Sequence, residues 1–128
     1  MVISSDLYEA RQVEQRILED IERLGYSEAD VFAIKLALEE ALNNAVRHGN
    51  RLDATKTVEV RFDADEAEAR ICIRDEGPGF RPADVPDPTA DENLEKPSGR
   101  GIMLMRAYMD VVEFNESGNE VRMVKRKE

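Results

Sequence analysis

Glu40 and Asn44 stand four positions apart in the stretch Glu-Glu-Ala-Leu-Asn-Asn-Ala-Val-Arg-His-Gly-Asn, residues 39–50, on an apolar helical background. That spacing sets both side chains on one helix face. A carboxylate that can accept a proton, beside a carboxamide oxygen that can ligate a hard cation, suits phosphate chemistry, because Mg²⁺ takes oxygen ligands and leaves positions open for phosphates. Asn43 and Asn44 also run against helix propensity, and such local violations gather at functional sites. Two glycine-rich turns follow in order, Asp75-Glu76-Gly77-Pro78-Gly79-Phe80 and Gly99-Arg100-Gly101.

Each turn has a plain reading and a chemical one. Asp75 ends an alternating segment, where a turn is expected in any case; a carboxylate there can accept a hydrogen bond from the exocyclic amine of a base, while Gly77 and Gly79 let a flat ring approach the backbone. Gly99-Arg100-Gly101 opens a helix, whose unpaired amides and dipole favour phosphate, although a hinge would use the same glycines. Lys96 and Arg100 are the nearby cations for such phosphates. His48 reads as a helix-end residue that satisfies carbonyls or the dipole rather than as a base. Met103, Met105 and Met109 read as core filler.

The elements that must hold these residues follow from periodicity. Over residues 6–24, Leu7, Ala10, Val13, Ile17, Leu18 and Ile21 recur at helical spacing and Gly25 supplies a stop. Ser27 and Asp30 form a capping-box pattern that opens a second helix, with Val31, Ile34, Leu38, Leu42 and Ala45 toward the core and Gly49-Asn50 at its end. Val58, Val60 and Phe62 alternate with polar residues, as do Ala69, Ile71 and Ile73 beyond the polar turn at 63–66, which predicts an antiparallel hairpin. That alternation puts Cys72 on the opposite face, between Arg70 and Arg74. Residues 81–98 hold four of the five prolines without any sustained period, and a connection of that length reads as a functional lid. A short helix at about 102–109 and strands near 111–115 and 120–124, around Ser117-Gly118-Asn119, complete the chain, with a basic tail at 125–127 expected to fray. Helices first and mainly antiparallel strands after give an α+β layer with the helices on one face of the sheet.

At 128 residues, 41% of them hydrophobic, the chain is sized for one domain, 1–128, with one core and one site. No apolar run approaches the ~20 residues of a membrane span, and Met-Val-Ile-Ser-Ser-Asp carries no secretory signal pattern. A single cysteine agrees with a reducing compartment, so a cytoplasmic location is expected. A net charge of −10 repels phosphate backbones and argues against direct nucleic-acid binding. It leaves room for a nucleotide, which glycine-turn amides and a few local cations can hold.

Taken together, Glu40-Ala-Leu-Asn-Asn44-Ala, then Asp75-x-Gly77-x-Gly79-Phe80, then Gly99-x-Gly101 resemble the N, G1 and G2 boxes of the GHKL ATPase superfamily, shared by gyrase, histidine kinases and the heat-shock chaperone ATPase. The resemblance spans the whole chain. The stretch Glu-Ala-x-x-Asn-Ala-x-x-His-Gly and the segment from Pro88-Thr89 to Pro97-Ser98-Gly99-Arg100-Gly101-Ile102 are most similar to the anti-sigma-factor serine/threonine kinases.

That resemblance implies a two-layer α/β sandwich of the Bergerat type binding ATP and Mg²⁺ between its helices and the lid. It implies Asn44 as the Mg²⁺ ligand, Asp75 as the reader of the adenine amino group, and Gly77, Gly79, Gly99 and Gly101 as the glycines that shape the pocket and cradle phosphates. Thr89, Lys96 and Arg100 become the candidates for phosphate contact. Glu40 falls where the family keeps its general base, acting on a serine or threonine hydroxyl of an anti-anti-sigma (STAS-type) protein. A sigma factor is the second implied partner, and family members commonly pair as homodimers through the N-terminal region and first sheet. A non-catalytic, ATP-gated binding regulator of the same fold is the alternative. A histidine kinase would need a helical hairpin carrying a phosphoacceptor histidine, whereas the sole histidine, His48, lies inside the box helix.

Overall fold

The computed structural model describes residues 1–78 and 99–128, with the backbone alone of Gly99 and Arg100. The expected lid at 81–98, and with it Gly79, Thr89 and Lys96, lies outside the described residues. The elements run β1 (Val2–Ser4), α1 (Leu7–Arg23), α2 (Glu28–Asn43), a π-helical segment (Asn44–Gly49), β2 (Thr57–Ala64), β3 (Glu68–Arg74), α3 (Gly99–Tyr108), β4 (Val111–Phe114) and β5 (Glu120–Arg126). The strands form one sheet in the order β1-β2-β3-β5-β4, and each described pairing is antiparallel.

Alternation decides which face of the sheet is covered. Val60 pairs with Ile73, Phe62 with Ile71 and Ala64 with Ala69, while Ile71 and Ile73 continue across to Met123 and Val121 of β5. These side chains join one core with Ile17 and Ile21 of α1 and Ile34, Leu38 and Leu42 of α2. Each such fully buried aliphatic side chain is worth roughly 1.5–3 kcal/mol. The opposite face is charged: Arg61 meets Glu59 and Glu120, Arg70 meets Asp63, Asp65 and Glu68, and Arg122 meets Glu113. This is the expected two-layer α+β sandwich with helices on one face.

Local signals set the helix ends. Asp6 accepts from the Tyr8 N–H and Ser27 from the Asp30 N–H, one cap for each long helix. Gly25 ends the first turnaround at φ +81°, a conformation that favours glycine.

Four expectations are corrected. β1 was not anticipated, because three residues carry no readable period; its edge pairing to β2 is reinforced by the Met1 ammonium on the Val60 carbonyl at 2.7 Å. The second helix widens to a π-helix at Asn44 before stopping at Gly49. Met103 is exposed while Met105 and Met109 lie in the core, because α3 turns one side outward. The basic tail does not fray: β5 runs through Arg126, and the buried Lys125 ammonium faces Asp30 at 3.7 Å, Asp110 at 3.8 Å and Glu128 at 3.3 Å. A buried charge in such a cluster pins the strand end to the start of α2, which the Glu128 N–H on Asp30 also holds at 3.0 Å.

Candidate functional site

Glu40 lies in the last turn of α2 and Asn44 begins the π segment, so the two share the point where the helix widens. Insertions of this kind are rare inside helices and frequent at functional sites. Both side chains are half-buried. The Asn44 Nδ2 is buried with no hydrogen-bond partner among the described residues, a donor left open at the point where the helix widens.

The start of α3 comes to this same point. A methyl group at Gly101 would stand 2.7 Å from Glu40 Oε2 and 3.9 Å from Asn44 Nδ2. Only glycine fits without displacing the carboxylate. Two stretches separated by more than fifty residues therefore meet, the carboxylate and carboxamide of one against the helix N-terminus of the other. An N-terminus presents free amides and a partial positive charge, the setting in which phosphate is held.

Asp75 follows β3, its N–H donating to the Asn119 carbonyl at 2.9 Å. Its carboxylate accepts from the Gly77 N–H at 2.7 Å, so the side chain closes its own turn. Burial pushes its pKa up, against the opposing pull of the Gly77 hydrogen bond and the Lys56 charge. Gly49, at the end of the π segment, packs on this carboxylate so closely that any side chain there would overlap it, and a side chain at Gly77 would overlap the Gly49 carbonyl. The turn at 75–77 and the end of the π segment thus touch backbone to backbone. Gly77 is needed for that approach.

Glu40 and Asn44 also open onto a cleft of about 480 Å³ between α1 and the end of α2, with Arg11, Glu14, Glu39 and His48 in its walls. There the Glu14 carboxyl is pushed up to about 7, first by burial, then by the negative charge of Glu39 and a hydrogen bond with it, against the opposing charges of Lys35 and Arg11. Cys72, on the charged face, directs its thiol to Glu120 Oε1 at 3.2 Å, and burial with that neighbour raises it to about 11.

Of the residues singled out in the sequence, Glu40, Asn44 and Gly101 converge directly, and Asp75 and Gly77 join them through Gly49. The backbone of Gly99 and Arg100 lies in the first turn of α3. Sequence reasoning passed over the close approach of Gly49, the buried Asn50 beyond it, and the Glu14–Glu39 pair. Gly49-Asn50 was read only as a helix stop, and adjacency of two acids on different helices has no local signature.

The comparisons with known proteins identify the family and the fold. A family model described as histidine kinase-like ATPase domain matches residues 3–125, so the chain belongs to that family. Within it the chain belongs with the anti-sigma serine-protein kinases. Serine-protein kinase RsbW of Bacillus licheniformis is 36% identical over 112 residues, covering 80% of this chain and 69% of that one. The protein of the same name from Bacillus subtilis (strain 168) is 34% identical with the same coverage. Anti-sigma F factor of Clostridium perfringens (strain SM101 / Type A) is 33% identical over 98 residues, covering 73% of this chain and 69% of its own. Among solved structures, the RsbU and RsbW domains of Rv1364c from Mycobacterium tuberculosis superpose with a TM-score of 0.61 at 18% identity, covering 99% of this chain and 31% of that one. The mycobacterial sensor histidine kinase MprB does so at 0.55 and 16%, covering 99% and 97%. At those identities the structures establish the shared fold.

Proposed function

We propose that this protein is an ATP-dependent serine/threonine protein kinase that phosphorylates an anti-anti-sigma (STAS-type) protein and, in its other partnership, sequesters a sigma factor. The observation that carries the reading is the meeting of Glu40, Asn44 and the glycine start of α3 at one point, beside a buried carboxamide end that lacks a partner among the described residues. The names of the relatives, a serine-protein kinase and an anti-sigma factor, support the choice of acceptor and partner.

In this reading Asp75 accepts the adenine amino group, Gly77 and Gly79 give the ring access, and the amides around Gly99 and Gly101 receive phosphate, with Thr89, Lys96 and Arg100 as further phosphate contacts. The donor set fits Mg²⁺ brought in with ATP. Among the described residues no three His, Cys, Asp or Glu side chains gather to cage a metal, so the ion would be shared between the Asn44 amide oxygen and the phosphates. Turning the Asn44 amide over would present that oxygen where the unpartnered nitrogen now stands. Mg²⁺ supplies charge neutralisation on the phosphates when bound. Glu40 accepts the proton of the acceptor hydroxyl as its oxygen bonds to the γ-phosphorus and the bond to the β-phosphate oxygen breaks, releasing ADP.

Among the described residues no helix is long and apolar enough to cross a membrane. A cytoplasmic location and a homodimer belong to the same proposal.

The test is transfer of labelled γ-phosphate from Mg·ATP into proteins of the host lysate, with wild type and Glu40→Ala in parallel. A small protein labelled on serine or threonine by wild type alone is the expected result. If wild type binds ATP and labels nothing, the non-catalytic, ATP-gated regulator replaces the kinase.

A further inference from the structure

Asn50 is fully buried, and every hydrogen bond of its side chain crosses between elements. Its Nδ2 donates to Ser5 Oγ at 2.8 Å, just after β1, and to the Thr57 carbonyl at 2.8 Å, at the start of β2. Its Oδ1 accepts from the Glu76 N–H at 2.8 Å, in the turn that Asp75 opens. Both amide hydrogens and the carbonyl are thus committed, and Asn50 itself directly follows the π segment.

The neighbourhood holds that arrangement from several sides. Ser5 Oγ donates onward to the Lys56 carbonyl at 2.9 Å, and the Glu76 carboxylate accepts from the Thr57 N–H at 2.5 Å. Gly49 and Gly77 are in backbone contact one residue away on each side. The chain leaves Asn50 through Arg51 and Leu52, both left-handed at φ 51° and 58°, a conformation that persists only where the surroundings dictate it.

We propose that Asn50 is a positioning residue for nucleobase selection: it fixes the Asp75-Glu76-Gly77 turn against the helix that carries Glu40 and Asn44. This rests on the reading of Asp75 as the acceptor of the adenine amino group. A carboxylate discriminates an amino from a keto group only if it stands within hydrogen-bond distance of that position, because a keto oxygen there faces a second acceptor and leaves a buried group unpaired. The Asp75 side chain is closed on Gly77, so its placement is that of the turn, and the turn is tied through Glu76 to Asn50.

The experiment compares affinities for Mg·ATP and Mg·ITP by calorimetry, the two nucleotides differing in the amino against keto group at one ring position and in the proton that the keto form carries on the adjacent ring nitrogen. Wild type should prefer ATP. Asn50→Ala should lower the ATP-to-ITP preference at least tenfold and move KM for ATP more than kcat. Asn50→Asp keeps the acceptor for the Glu76 N–H and loses both donors, so its preference should stay within about threefold of wild type although it melts at a lower temperature. Ser5→Ala, which weakens the same cluster away from the turn, should lower the melting temperature and keep the preference.

An unchanged preference in Asn50→Ala overturns the proposal, as does an equal loss in Ser5→Ala, which would make the role a merely structural one. If Asn50→Ala does not fold, collapse of the preference in Asn50→Asp overturns it instead. Asp75→Asn separates this from the underlying reading. If Asp75→Asn leaves the preference intact, the base is not read at Asp75 and both fail; if it abolishes the preference while Asn50→Ala does not, only the positioning role fails.

Discussion

Replacing Gly101 by alanine would put a methyl group 2.7 Å from Glu40 Oε2, where ordinary contact begins near 3.4 Å, so the carboxylate must give by about 0.7 Å. Misplacement of a reacting group by about 1 Å can cost on the order of 10²-fold in rate. Scaled to this displacement, kcat should fall about 10- to 100-fold, or roughly 1.4–2.7 kcal/mol of barrier. Stability should move the other way, since alanine within a helix is favoured over glycine by up to about 1 kcal/mol. A single-turnover assay with γ-labelled Mg·ATP, paired with a thermal melt, reads both. The double variant Glu40→Ala/Gly101→Ala should be no slower than Glu40→Ala alone, because the methyl acts through that carboxylate. Full turnover in Gly101→Ala, or a simple sum of the two losses in the double variant, would refute the reasoning.

Other consequences are open to measurement. The Glu14 pKa is raised from 4.5 to about 7, so the native state holds that proton more tightly; stability from this group is fully present below about pH 4.5 and is lost as pH rises through about 7. Discounted for the half-exposed position, the loss is about 1 kcal/mol, and Glu14→Gln should match wild type at pH 4.5 and exceed it by that amount at pH 8 in urea titrations. Lys125→Met strands the buried Asp30 carboxylate and should cost about 3 kcal/mol by denaturant unfolding, an unchanged midpoint counting against the cluster. The Cys72 thiol, raised to about 11, should alkylate with iodoacetamide at pH 8 about a hundredfold more slowly than a free cysteine, as followed by mass spectrometry.

Much of the fold was legible because its pattern is local. Val58, Val60 and Phe62 against Ala69, Ile71 and Ile73 specify a hairpin with one apolar face, and the structure pairs Val60 with Ile73 and Phe62 with Ile71 across β2 and β3. Ser27 and Gly25 punctuate the helices as their chemistry requires. What escaped the sequence depends on tertiary contact. β1 becomes a strand only because β2 offers it an edge, and Lys125 is ordered only because Asp30, nearly a hundred residues earlier, is buried beside it. In the site, the spacing of Glu40 and Asn44 was readable from helix geometry, and the glycines from their type. That Gly101 would meet Glu40, that Gly49 would pack on Asp75, and that Asn50 would tie the pieces together are facts of packing between distant segments. No residue type or spacing announces them.

The central claim is that this protein transfers phosphate with Glu40 as the base, over a nucleotide site that Glu40 does not itself build. The measurement closest to it sets ATP affinity and phosphoryl transfer side by side in Glu40→Ala. The account predicts Mg·ATP binding within about twofold of wild type together with transfer reduced at least 10²-fold, the scale of a lost general base. Transfer at the wild-type rate in that variant, or no binding of Mg·ATP by the wild type, would contradict it.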